Sequence, residues 1–73
     1  KIVEYAIRYS ASYAILAHNH PSGVALPSRD DLTTTAQVRD ALALINVQLI
    51  DHLIIADNDY VSLAQSGIGD TLF

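Results

Sequence analysis

The sequence predicts a mixed α/β fold, a small sheet with flanking helices. Two compact apolar runs, "YAILA" and "VQLIDHLIIAD", have the length and the Ile and Leu content of largely buried strands. Between them, the stretch after Ser28 repeats apolar residues at helical spacing. A strand that crosses over through a helix to another strand implies a sheet of only about three strands, which would leave open edges and little core.

The first predicted element is a short helix that ends near Ser10. Within it, Glu4 and Arg8 have the i,i+4 spacing of a surface ion pair. Its apolar residues share one helical face: Ile2, Val3, Ala6 and Ile7. The run "YAILAHNH" is then expected as a strand bounded by Pro21. The run "PSGVALP" is expected as a loop, because two prolines and a glycine fall close together in it.

A second helix is predicted from about Arg29 to Ile45, with Ser28 as its N-cap. Residues 47–57 are expected as a strand that ends in the turn "DND", and "YVSLA" as the second strand of a hairpin. The tail "QSGIGDTLF" carries two glycines and is predicted as a loop or one short turn of helix. The expected order is therefore helix, strand, helix, strand, strand.

Composition argues against several classes of function. The net charge is −4 and the four basic residues are scattered, which argues against a nucleic-acid-binding surface. No apolar run approaches the roughly 20 residues of a membrane span, and no secretory signal opens the chain. A soluble, cytoplasmic protein is therefore the expectation. Because the chain has no cysteine, any metal ion would have to be held by histidine and carboxylate.

Two of the three histidines, His18 and His20, stand at the end of the first predicted strand of the crossover. Residues at i and i+2 of a strand point to the same face, so both imidazoles are expected to project together. Asp31 falls on the apolar face of the second helix, so its carboxylate should point inward. The same face holds Thr35, Val38, Leu42 and Ile45. A buried carboxylate needs a partner, and a zinc ion held by imidazole and carboxylate is one.

Each of these residues also has an ordinary structural interpretation. Ser28 and Asp31 have the spacing of a capping box, in which an acidic residue is favourable in the first turn of the helix. A histidine at a strand end is commonly a surface residue or a hydrogen-bonded core residue. The tripeptide "HNH" also differs from the nuclease motif of that name, whose residues are spread over a longer metal-binding module.

Asp51 and His52 interrupt the second long predicted strand with polar side chains. Alternation places His52 on the face of Ile50 and Ile54, and Asp51 on the face of Leu49 and Leu53. One interpretation is support of the metal ligands, with a carboxylate that orients a ligating imidazole. The other is a polar break in a core strand, bonded to backbone or to a neighbouring side chain.

The segment "HNHPSG…PS..D" resembles the JAMM metalloprotease signature. His18, Asn19, His20, Pro21, Ser28 and Asp31 match it in type and spacing. The wider run "ILAHNHPSG…PSRDD…LIDHLII…YVSL" is similar to the RadC-type branch of that family, often labelled DNA repair protein, over nearly the whole chain. The resemblance implies a JAB (MPN) domain with a cytidine-deaminase-like sheet, of which residues 1–73 would be a part.

The resemblance also implies a reaction. His18, His20 and Asp31 would bind Zn²⁺, a water in the fourth position would be the nucleophile, and Ser28 would help to hold the oxyanion. Members of the family cleave peptide or isopeptide bonds, and the mechanism needs a glutamate, upstream of H-x-H, as general base. The single glutamate, Glu4, lies only 14 residues before His18 and is not assigned that role.

The resemblance therefore predicts a truncated JAB domain that binds zinc and depends on a carboxylate from another polypeptide for hydrolysis. Three functions stay open: a zinc-dependent hydrolase of peptide-type bonds, a non-catalytic protein-interaction module, and a DNA-associated repair factor. The missing glutamate favours the second over the first for this chain alone, and the scattered basic residues weaken the third. A peptide or protein substrate is the expected partner, and open sheet edges favour self-association.

Overall fold

The computed structural model describes residues 5–9, 12–20, 25–67 and 72–73. They form a mixed α/β fold with one helix and a four-stranded sheet of order β1-β2-β3-β4. The elements are β1 (Tyr5–Tyr9), β2 (Tyr13–Asn19), α1 (Arg29–Ala43), β3 (Gln48–Ala56) and β4 (Asp59–Ser62). The two outer pairs are antiparallel, and the central pair β2–β3, connected through α1, is parallel. In the described part of the chain, no helix has the length and apolar character needed to cross a membrane.

The predicted first helix is wrong, because residues 5–9 form strand β1. Tyr5 and Ile7 lie opposite His18 and Leu16 in an antiparallel ladder. Aromatic and β-branched residues favour extended backbone, and the pairing satisfies backbone groups that β2 would otherwise present at an edge. The observed order is strand, strand, helix, strand, strand, with four strands rather than about three. The predicted ion pair involves Glu4, which lies outside the described residues.

The predicted second helix is confirmed at its start and is two residues shorter at its end. Helix α1 ends at Ala43, and Asn46 in the following turn adopts a left-handed backbone conformation with φ of 61°. Asparagine tolerates this region better than most residues, which suits it to a helix terminus. Because the helix stops early, Ile45 is 65% exposed, and its predicted place on the inward face is wrong.

Strand β3 contains an irregularity that alternation alone does not predict. Ala14 of β2 lies opposite Leu49, but the next residue, Ile15, lies opposite Asp51. Ile50 is therefore an additional residue in β3, as in a β-bulge. The alternation of side chains shifts by one position at this point.

The irregularity changes which side chains of β3 share a face. Leu49, His52 and Ile54 are fully buried, whereas Ile50 is 38% exposed. The prediction that pairs His52 with Ile54 is confirmed, and the prediction that pairs His52 with Ile50 is wrong. The predicted hairpin between β3 and β4 is confirmed, with Asp57 in a left-handed turn conformation.

One hydrophobic layer lies between helix α1 and the sheet. Its buried members are Ala14, Leu16, Val47 and Leu49, and Val38, Leu42 and Phe73 pack against them. The layer also contains buried polar side chains, namely His18, Asp31, Thr35 and His52. These polar residues come from the end of β2, the first turns of α1 and the middle of β3, so the fold gathers them where β2 ends and α1 begins.

Candidate metal centre

Three ligand-type side chains converge where strand β2 ends and helix α1 begins. One ligand atom each from His18, His20 and Asp31 lies within 4.8 Å of the others. His18 Nε2 is 3.0 Å from Asp31 Oδ1, and His20 Nε2 is 2.9 Å from Asp31 Oδ2. The two imidazoles therefore contact different oxygens of one carboxylate. The side chains that the sequence singled out are brought together, in a group that could hold a metal ion.

The end of β2 positions both imidazoles. His18 lies within the strand, and His20 follows its last residue. The His20 backbone N–H donates to the Ile55 carbonyl at 2.7 Å, so pairing with β3 continues beyond the end of β2. This pairing keeps the extended backbone in which residues i and i+2 share a face. His18 is buried at 2% exposure, and His20 is partly buried.

The start of helix α1 positions the carboxylate. The Ser28 N–H donates to Asp31 Oδ2 at 2.7 Å, and Ser28 Oγ accepts a hydrogen bond from the Asp31 N–H at 3.1 Å. This reciprocal pair is the predicted capping box, which is confirmed. Asp31 is also buried, as the inward-facing prediction requires. The carboxylate that caps the helix also contacts both imidazoles, so the capping role of Asp31 is compatible with a role in holding a metal ion.

The electrostatics of the site favour ligand-competent forms of His18 and Asp31. Burial lowers the pKa of His18, although the Asp31 carboxylate acts in the opposite direction. Burial opposes ionisation of Asp31, but the hydrogen bonds from Ser28 and the nearby His18 outweigh it, so that the pKa of Asp31 is lowered. At neutral pH the site thus presents a carboxylate beside a neutral His18 imidazole. These are the forms that bind metal ions.

Behind His18 lies a fully buried polar chain. His18 Nδ1 is 2.7 Å from His52 Nε2, and His52 Nδ1 is 2.5 Å from the Thr35 hydroxyl oxygen. That hydroxyl donates to the Asp31 backbone carbonyl at 2.6 Å. Burial lowers the pKa of His52 to about 4. Sequence reasoning placed Thr35 on the inward face of the helix but missed this contact. The only signal for it was the i+4 spacing from Asp31.

Asp51 has a different set of partners. Its Oδ1 accepts hydrogen bonds from the backbone N–H groups of His52 and Ala64, at 2.7 and 3.0 Å. Its Oδ2 accepts a hydrogen bond from the Ser62 hydroxyl at 2.6 Å. Of the two interpretations of Asp51, these contacts fit the second, a polar side chain bonded to backbone and to a neighbour. They fix the backbone of β3 at His52 and tie it to the turn after β4.

Two cavities lie beside the sheet. A cavity of about 180 Å³ borders His18, and Ala17, Asn19 and Ile55 are among its lining residues. A larger cavity of about 550 Å³ is lined by residues of β3, β4 and the adjoining turns, including Asp51. Of the two, the smaller one contacts a side chain of the three-residue group.

The chain is a mixed α/β domain in which His18, His20 and Asp31 form a group that could hold a metal ion, and comparison with known proteins gives its family. The family model of the RadC-like JAB domain matches residues 1–68. The chain belongs to that family, as the resemblance implied.

Curated relatives carry the name UPF0758 protein. The chain is 46% identical over 68 residues to one from Marinomonas sp. (strain MWYL1). It is 51% identical over 67 residues to one from Aeromonas hydrophila, and 45% identical over 67 residues to one from Vibrio cholerae. These alignments cover 92–93% of this chain and 30% of each relative. The chain thus spans about 30% of the length of the curated relatives that it matches.

Proposed function

We propose that this chain binds a zinc ion through His18, His20 and Asp31 and supplies the metal site of a hydrolase acting on peptide or isopeptide bonds. The observation that carries the proposal is the convergence of three donor atoms within 4.8 Å. Membership of the RadC-like JAB family supports it.

The donor set fits zinc. Zinc sites in proteins are built from imidazole nitrogens, thiolates and carboxylate oxygens, and catalytic ones use three protein ligands. In the described residues, two imidazoles each direct Nε2 at a separate oxygen of Asp31, at 3.0 and 2.9 Å. A cation placed between these atoms can take a lone pair from each imidazole nitrogen and one from the carboxylate. One divalent cation can thus be held by both imidazoles and the carboxylate together.

Each residue has a proposed task in hydrolysis. A bound zinc ion would polarise the scissile carbonyl and lower the pKa of a coordinated water. His18 and His20 would hold the ion, and the Asp31 carboxylate would offset part of its charge. Ser28 carries a hydroxyl at the exposed start of α1, which we propose donates to the substrate oxygen as negative charge develops there. Since Asp31 is assigned as a ligand, the general base must be a different carboxylate.

Zinc content of the purified chain tests the proposal. We expect about one zinc per chain after dialysis against zinc-free buffer. The His18→Ala, His20→Ala double variant and the Asp31→Asn variant should each retain less than a tenth of that content. Each variant lacks at least one of the three side chains proposed to bind the ion. Asp40→Asn is the matched control, because Asp40 lies on the same helix and its side chain is 72% exposed. Equal zinc content in all four proteins would refute the site.

Hydrolysis is tested separately. The zinc-loaded chain is incubated with a fluorogenic peptide library and an isopeptide-linked substrate, with and without added formate as a small external carboxylate. Cleavage that a chelator abolishes and the Asp31→Asn variant lacks supports the proposed reaction. Cleavage that is unchanged by chelator would contradict it.

A further inference from the structure

The buried polar chain behind His18 is a closed path of contacts that begins and ends on Asp31. It runs from the Asp31 carbonyl through the Thr35 hydroxyl and His52 to His18, and returns to the Asp31 carboxylate. Both ends of the path are oxygen atoms that only accept hydrogen bonds. The order of protons along it is therefore constrained.

Counting protons shows that one contact must lack a hydrogen. The path has four contacts, whereas the neutral side chains of Thr35, His52 and His18 provide one proton each, three in all. If the contact without a proton is the one between His18 and the carboxylate, all three protons point toward the Asp31 carbonyl. His52 and His18 then both carry their proton on Nδ1.

The distances indicate which contact lacks the proton. The three contacts inside the path measure 2.5 to 2.7 Å, at or below the short end of hydrogen-bond distances, so each needs a proton between its two atoms. Two acceptor oxygens would not approach to 2.6 Å without a proton, so the Thr35 hydroxyl donates to the Asp31 carbonyl. His52 Nδ1 must then be the donor to Thr35, and His18 Nδ1 the donor to His52. The remaining contact, His18 Nε2 to Asp31 Oδ1, is the longest of the four at 3.0 Å.

We propose that Thr35 and His52 are positioning residues that hold His18 in the tautomer with its proton on Nδ1, which leaves the Nε2 lone pair directed toward the proposed metal position. The consequence for metal binding rests on the proposed function, whereas the tautomer itself does not. Thr35 is essential to this order because a hydroxyl can accept from His52 and donate to the helix carbonyl at the same time.

The Thr35→Val substitution separates this role from simple packing. Valine is nearly isosteric with threonine but cannot accept the His52 Nδ1 proton, so that proton would be buried without a partner. We expect both imidazoles to move their proton to Nε2, so that His18 donates to the Asp31 carboxylate and its Nε2 is no longer a free ligand. Thr35→Ser keeps the hydroxyl and is the matched control.

Nitrogen NMR of the histidine side chains tests the tautomer in the metal-free chain. We expect Nδ1 to carry the proton in both His18 and His52 of the unmodified chain and of Thr35→Ser, and Nε2 to carry it in Thr35→Val. A proton on His18 Nε2 in the unmodified chain would overturn the proposal without reference to any variant. An unchanged His18 tautomer in Thr35→Val would overturn the role of Thr35.

Zinc affinity, measured by competition with a chromogenic chelator, tests the consequence. We expect Thr35→Val to bind zinc about 10- to 100-fold more weakly than the unmodified chain, and Thr35→Ser to bind within a few-fold of it. Equal affinity in all three proteins would show that the tautomer does not control binding. If the unmodified chain bound no zinc, the proposed function would fail. The NMR result would still decide whether Thr35 and His52 set the tautomer of His18.

Discussion

His18 and His52 are 34 residues apart in the sequence, yet His18 Nδ1 and His52 Nε2 lie 2.7 Å apart in the buried layer under helix α1. The parallel pairing of β2 with β3 creates this contact by placing Leu16 opposite His52 and His18 opposite Ile54. A side chain on the surface of the sheet thus reaches diagonally to its neighbour on the next strand. The imidazole proposed to bind metal is thereby held by the imidazole of another strand.

The stability of the metal-free chain should fall in mild acid because of His52. The unfolded pKa of histidine is about 6.5, and burial lowers the folded pKa of His52 to about 4. Above the unfolded pKa His52 is neutral in both the folded and the unfolded state, so it does not make the free energy of unfolding depend on pH there. Between the folded and the unfolded pKa, His52 binds a proton in the unfolded state but not in the folded state, so stability falls as the pH falls. The full effect is on the order of 3 kcal/mol.

Urea unfolding in the presence of a chelator measures this dependence. The lowered pKa values of His18 and Asp31 act in the same direction over their own ranges, so the slope should have one sign from neutral pH down to about pH 4. His52→Gln, which has no titrating ring, should show a shallower slope. A flat profile for the unmodified chain would contradict the burial of a neutral His52.

Ser28→Ala should destabilise the fold without removing the proposed metal ligands. The substitution removes the oxygen that accepts the Asp31 N–H, which costs about 1 kcal/mol at a helix N-cap. The Ser28 backbone N–H still donates to Asp31, so zinc content should be retained. Ser28→Thr should keep the cap. Thermal unfolding and elemental analysis on the same samples give both readouts. Loss of zinc without loss of stability would contradict the expectation that the Ser28 hydroxyl stabilises the helix and is not needed to bind the ion.

Leu49 and Ile50 are adjacent residues that should differ sharply in their contribution to stability. Leu49 is 1% exposed in the core, and Ile50 is displaced outward by the irregularity in β3. Leu49→Ala should cost about 2–5 kcal/mol, enough to unfold much of so small a chain. Ile50→Ala should cost less than about 1 kcal/mol. Circular dichroism with urea unfolding compares them, and similar costs would mean that the alternation runs unbroken through β3.

Asp51→Ala should destabilise the hairpin end of the sheet by about 2 to 3 kcal/mol, because it leaves three donors without their charged acceptor. Asp57→Asn is the control, since Asp57 is exposed and asparagine also tolerates its φ of 51°. Hydrogen exchange at the Ala64 amide reports the effect directly. Unchanged protection there in Asp51→Ala would exclude the bond.

Much of this fold can be predicted from local patterns. The apolar run before His18, the cap at Ser28 and the hairpin after β3 each follow from short-range chemistry, and the structure confirms them. The grouping of His18, His20 and Asp31 also follows, because strand and helix periodicities both direct these side chains to the same layer.

The errors arise where the partner of a segment decides its structure. Residues 5–9 fit a helical pattern as well as an extended one, and pairing with β2 selects the strand. The irregularity at Ile50 depends on how two strands match, which one strand's alternation does not reveal. Thr35 counts against a helix by propensity alone. The contribution of Thr35 to the structure comes from the contact of its hydroxyl with His52, 17 residues away in the sequence.

Asp31 both caps helix α1 and contacts the two imidazoles, so formation of the helix is linked to the geometry of the proposed metal site. Its carboxylate accepts the Ser28 N–H that starts α1 and also faces both imidazoles, so the donor geometry exists only while the first turn is wound. Ordering of that turn therefore favours occupancy of the proposed metal site, and an ion bound there would in turn stabilise the start of α1. If the proposed ion is removed, the amide groups of residues 29–32 should exchange with solvent before those of the sheet.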